Sequence, residues 1–157
     1  MNGGFRVRLI PIVAISVLLG CLPATAHSDR HFSAGEPGNP AKPSRTIKVS
    51  MQDEGKKMFY EPSHIVVHKG EQIRFVLFND GIENHEFVLA TVKENLAHAA
   101  EMKKHPHMAH DDPNAITLAP LNNGELLWKF SKIGTFEYGC LIPGHREAGM
   151  HGRVVVK

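Results

Sequence analysis

Cysteine is scarce in this sequence: its 157 residues include only two, Cys21 and Cys140. A small scaffold stapled by several disulfides is therefore excluded. Long apolar runs are missing as well. Residues 9–20 are the longest such stretch, short for a comfortable membrane span, and nothing later comes near one. There is a single tryptophan and no internal repeat. Charge of one sign is also lacking. Eighteen basic residues face sixteen acidic ones, and Arg6 and Arg8 both lie in the first 26 residues, which contain no acid. The chain from residue 27 onward is balanced with histidine neutral, which argues against nucleic acid or an anionic membrane as the main partner.

What is present begins with an address. Arg6 and Arg8 precede the apolar run, and Ala24-Thr25-Ala26 is an A-x-A cleavage site. Residues 1–26 read as a secretion signal, giving a soluble, periplasmic protein that starts near His27. Leu18-Leu19-Gly20-Cys21 also fits a lipoprotein box, which would leave the chain anchored through a lipidated Cys21. On either route Cys140 is left alone in an oxidising compartment, where thiols usually pair.

Residues 27–44 are rich in Pro, Gly and Ser and read as a flexible arm. From residue 45 to 157 the pattern is that of one domain. Ile47, Val49 and Met51 alternate with polar residues, and 64–68 and 71–78 are β-branched and aromatic on either side of Lys69-Gly70. Asn79-Asp80-Gly81 is a turn. Further strands are expected at 85–89, 124–130, 134–141 and 152–156. Thr91 to Glu94 forms a capping box, and the alanine-rich stretch after it, ending in lysines before Pro106, predicts one inserted helix over 92–104. The expected class is all-β, a Greek-key β-sandwich.

The chemistry concentrates late in the chain. Cys140, His145 and Met150 are spaced five apart on a loop between the last two strands. A thiolate, an imidazole and a thioether from one loop suit a soft or borderline ion, and a second histidine would complete the trigonal His₂Cys set with a weak axial methionine that copper favours. Strand parity supplies it. Phe136, Tyr138 and Cys140 share one face, and His85 shares a face with Phe87 and Leu89, so both ligands are expected to point into the same interior. Gly144 and Gly149 would let the loop aim His145 and Met150 back at the ion. A structural zinc site rarely takes a thioether, and a cysteine nucleophile paired with histidine needs a third orienting group that the sequence does not offer.

On these residues the chain resembles the cupredoxins, the plastocyanin/azurin-like type 1 blue copper proteins. Cys140-Leu-Ile-Pro-Gly-His145-x₄-Met150-x-Gly152, running into Val154-Val-Val-Lys, is most similar to the loop of the rusticyanins. The resemblance covers residues 45–157. It implies an eight-stranded Greek-key sandwich with one copper at one end, His85, Cys140 and His145 as equatorial ligands, and Met150 as the axial ligand. Azurin and plastocyanin have asparagine just after the first histidine, bracing the cysteine loop; here that position is Glu86.

The resemblance also implies a one-electron carrier, not an enzyme, exchanging electrons through the edge of His145 with a redox partner such as a cytochrome or copper oxidase. Leu141, Ile142 and Pro143 are expected to form an apolar docking rim. A second reading comes from extra soft ligands: His27, His31, Met51, Met58, Met102, His151 and above all His105, His107, Met108 and His110. If that last group binds a second, weaker copper, the protein would serve copper tolerance, sequestering or oxidising the metal.

Overall fold

The computed structural model describes Met1 and residues 32–104 and 112–157. Ten strands and one helix succeed one another in order: β1 (Glu36–Pro37), β2 (Arg45–Glu54), β3 (Lys57–Glu61), β4 (His64–Val67), β5 (Gln72–Asn79), β6 (His85–Ala90), α1 (Val92–Lys104), β7 (Ala115–Leu118), β8 (Asn123–Lys129), β9 (Gly134–Gly139) and β10 (His151–Val156). They form two five-stranded sheets, ordered β1-β8-β5-β2-β3 and β4-β10-β9-β6-β7, with the chain crossing repeatedly between them. This is the expected Greek-key sandwich.

Of the strands legible in the sequence, β2, β4, β5, β8 and β10 show period-2 burial. In β5 Ile73, Phe75 and Leu77 are fully buried while Arg74, Val76 and Phe78 are less so, and β5 runs parallel to β2 and antiparallel to β8. Alternating residues of both sheets fill the space between them. Phe87 and Tyr138 stack at 5.1 Å, and Tyr60 meets both rings edge-on. Such pairs contribute about 0.5–1.5 kcal/mol each beyond the area they bury. This aromatic group comes from β3, β6 and β9, the strands next to the candidate ligands.

The architecture departs from the sequence reading in its strand count and its N-terminal arm. The described residues hold ten strands where the resemblance implies eight: β1 and the short β3 and β7 add to the seven strands legible in the sequence. The expected flexible arm is instead packed over its described part, residues 32–44. Phe32 meets Trp128 edge-on at 5.4 Å, Ala34 is fully buried, and β1 pairs with β8. The buried Gln72 amide accepts from the backbone N–H of Asn39 at 2.6 Å and donates to the carbonyls of Asn39 and Lys42. An otherwise open sheet edge is covered, and a buried amide is satisfied in the same contact. Residues 27–31, the signal segment and the 105–110 His/Met cluster lie outside the described residues.

Helix α1 has the predicted bounds. Thr91 Oγ1 accepts from Glu94 N–H, and the Glu94 carboxylate accepts from Thr91 N–H at 2.9 Å, closing the capping box. The helix lies against β6 and β9 and buries Asn95 and Met102. With α1 and β7 beside it, β6 is buried along its whole length, so its face opposite the core is covered too.

Candidate metal centre

His85 opens β6, Cys140 comes directly after β9, and His145 and Met150 stand on the 141–150 loop that leads into β10. The fold brings the first three together. His85 Nδ1 lies 3.3 Å from His145 Nδ1, and Cys140 Sγ lies 3.4 Å from the same His145 atom. All three candidate ligand atoms are within 4.8 Å of one another, and among the described residues no other three His, Cys, Asp or Glu side chains converge in this way. His85, Cys140 and Met150 are fully buried, while His145 is partly exposed.

The loop is shaped by its own backbone. Cys140 N–H donates to the Met150 carbonyl and Met150 N–H to the His145 carbonyl, pinning the ends together. Gly144 (φ 94°) and Gly149 (φ 110°) take the left-handed turns that a side chain would oppose. Met58 N–H donates to the Ala148 carbonyl, tying the loop to β3. Arg146 forks onto the buried Glu137 carboxylate at 2.8 and 3.2 Å, and Asn95 of α1 donates to the same carboxylate at 3.1 Å. Lys103 near the end of α1 pairs with Glu147 at 2.8 Å.

Burial pushes the Cys140 thiol up to about 12, opposed in part by N–H groups of Glu86 and Ile142. Burial and the neighbouring His85 lower the His145 pKa, favouring neutral imidazole. A buried thiol resists ionisation unless a cation takes its charge, and a thiolate-binding metal removes that proton outright. Two imidazoles and a thiol converging in a largely buried pocket, with a buried thioether on the same loop, fit a copper ion by donor type. Such an ion would supply one-electron redox chemistry.

Glu86 occupies the bracing position. Its N–H donates to Cys140 Sγ at 3.3 Å, and its Oε2 accepts from Leu141 N–H at 3.3 Å, so this carboxylate braces the start of the cysteine loop. The expected apolar rim needs correction: Leu141 is buried, Ile142 is half-buried against the core, and only Pro143 of the three is exposed. Parity alone would turn Leu141 outward after the inward Cys140, but the strand has ended there and the chain turns under Glu86, whose carboxylate accepts from Leu141 N–H. The exposed Ile82, three residues before His85, was not expected. Met51 and Met102 are buried and Met58 packs on the core, so these methionines serve packing.

The model of the copper-binding proteins of the plastocyanin/azurin family matches residues 47–157. The chain belongs to that family. This cupredoxin is 48% identical to the copper-resistant cuproprotein CopI of Rubrivivax gelatinosus, with 88% of the chain and 82% of the relative aligned. It is 33% identical to CopI of Pseudomonas aeruginosa, covering 98% and 99%. Among solved structures it superposes on auracyanin from the photosynthetic bacterium Roseiflexus castenholzii with a TM-score of 0.60 at 21% identity, over 74% of this chain and 99% of that one. The cupredoxin fold and the copper-binding class expected from the loop motif are thereby shown.

Proposed function

We propose that this cupredoxin holds one copper ion through His85, Cys140 and His145, with Met150 as the axial ligand, and that it serves copper resistance in an exported compartment. The observation that carries the proposal is the buried, preformed convergence of two imidazoles and a thiol. The resistance role is supported by the two CopI relatives, which align over most of both chains. Export rests on the signal-like residues 1–26; the described residues contain no helix long and apolar enough to cross a membrane.

One-electron transfer is the second reading. It is supported by the fold family and by the burial pattern, in which His145 is the partly exposed member of the three converging side chains. A cytochrome or copper oxidase would then be the partner.

Growth of a deletion strain in graded copper separates the two. Resistance predicts sensitivity that wild-type protein rescues and Cys140→Ser does not. Unchanged tolerance in the deletion strain would refute it and leave the carrier reading standing. A Cu(I) titration tests the 105–110 cluster: more than one equivalent per chain, reduced by replacing His105, His107, Met108 and His110 together, supports a second site.

A further inference from the structure

Asp53, near the end of β2, is a buried acid committed to one of the candidate ligands. Its side chain is 7% exposed, and its Oδ1 lies 2.8 Å from Nε2 of His85, which is fully buried. The contact is an ion-pair approach without hydrogen-bond geometry, and among the described residues neither atom has a hydrogen-bond partner. The other oxygen, Oδ2, accepts from the backbone N–H of Ile82 at 2.7 Å and of Glu83 at 3.2 Å. Gly81 lies over this contact. A Cβ added there would come 2.3 Å from Asp53 Oδ2 and 2.9 Å from His85 Nε2, so a larger residue would push on the contact.

Resting on the reading of His85 as a copper ligand, we propose that Asp53 is a positioning residue of the centre, which fixes the His85 tautomer and tilts the site toward Cu(II). A neutral imidazole carries one N–H and one bare nitrogen. A carboxylate facing Nε2 selects the form protonated there, leaving Nδ1 bare toward Cys140 and His145. A partner on the far nitrogen of a metal-bound histidine both orients the ring and strengthens it as a ligand. The choice of acid over amide comes from the donors around it. Both Asp53 oxygens face N–H groups, and only a carboxylate accepts on both. An asparagine must turn its NH₂ to one side. Toward His85, it would demand a bare Nε2 and move the proton onto Nδ1, blocking the ligand atom. Toward the turn, it would set donor against donor at Ile82 and Glu83. The fixed negative charge also stabilises the doubly charged ion more than the singly charged one.

The test uses the full copper-loaded protein and reads Cu(II) affinity, Cu(I) affinity and reduction potential for wild type, Asp53→Asn and Gly81→Ala, with circular dichroism to check folding. Asp53→Asn is expected to weaken Cu(II) by about tenfold to a hundredfold, the usual effect of losing such a partner, with a smaller loss for Cu(I). Each tenfold of difference raises the potential by about 59 mV. Gly81→Ala keeps every charge but displaces the carboxylate, and is expected to shift the potential in the same direction by less. A merely structural Asp53 would weaken both oxidation states alike and leave the potential unmoved; that result overturns the proposal. The ligand reading fails separately: His85→Ala would then keep the wild-type visible spectrum.

Discussion

Replacing Arg146 by methionine would strand the Glu137 carboxylate. In the folded chain that group, its side chain 6% exposed, takes two of its hydrogen bonds from the guanidinium and one from Asn95. Removing one partner of a buried pair costs about 3–5 kcal/mol. Arg146 is 21% exposed at its side chain, so water can reach part of the vacated space, and the low end, about 3 kcal/mol, is the expected loss. At about 3 °C per kcal/mol for a domain of this size, the melting temperature should fall by about 10 °C. Adding Glu137→Leu removes the stranded charge. Asn95 then keeps only its weaker contact to the Val88 carbonyl at 3.4 Å, so the double variant should sit about 1 kcal/mol below wild type. Thermal unfolding monitored by far-ultraviolet circular dichroism reads all three proteins. A single-variant loss under about 0.5 kcal/mol would mean that the pair behaves as an exposed one. A double variant less stable than the single would also refute the reasoning.

The Tyr60 hydroxyl donates to the Glu86 carbonyl, and burial first, then the nearby Cys140 and Glu86, hold its pKa well above the usual tyrosine range. Below about pH 10 the phenol is protonated in both states; above it only the unfolded chain ionises, so stability should fall by up to about 1.4 kcal/mol per pH unit. Tyr138 and, from lower pH, the Cys140 thiol of the metal-free protein act with the same sign. Tyr60→Phe should make the alkaline limb shallower while costing about 1 kcal/mol at neutral pH; chemical unfolding at stepped pH checks this, and an unchanged slope would contradict it. In the copper-loaded protein, Cys140→Ser should abolish the intense visible absorption expected of a thiolate–copper bond while leaving the β-sheet circular dichroism intact. Survival of the band would remove Cys140 from the site.

How much of this was legible in the sequence depends on range. His85, Cys140, His145 and Met150 announce themselves because three sit on one loop and the fourth shares an inward parity with Phe87 and Leu89. The bounds of α1 were readable because Thr91 and Glu94 cap each other within one turn. The packing of residues 32–44 was not, since Pro, Gly and Ser there carry no periodicity and their partners, Gln72, Trp128 and β8, lie far along the chain. Asp53 was invisible for the same reason. Nothing in the order Met-Gln-Asp-Glu-Gly says that an acid on β2 will meet a histidine on β6. Leu141 was misplaced because a motif gives spacing but not the point at which a loop turns beneath its neighbour.

The anchoring of the 141–150 loop bears on protein engineering. Its shape is not self-contained: β3 holds Ala148, β9 and α1 hold Arg146 through Glu137 and Asn95, and Lys103 holds Glu147. A cassette cut at Cys140 and Met150 and moved into another sandwich would carry the residues named by the motif but leave four clamps behind. Transplanted alone, the segment should relax and lose its grip on metal. Moved together with Asn95, Lys103 and Glu137 on a matching helix and strand, it would keep the frame that aims it.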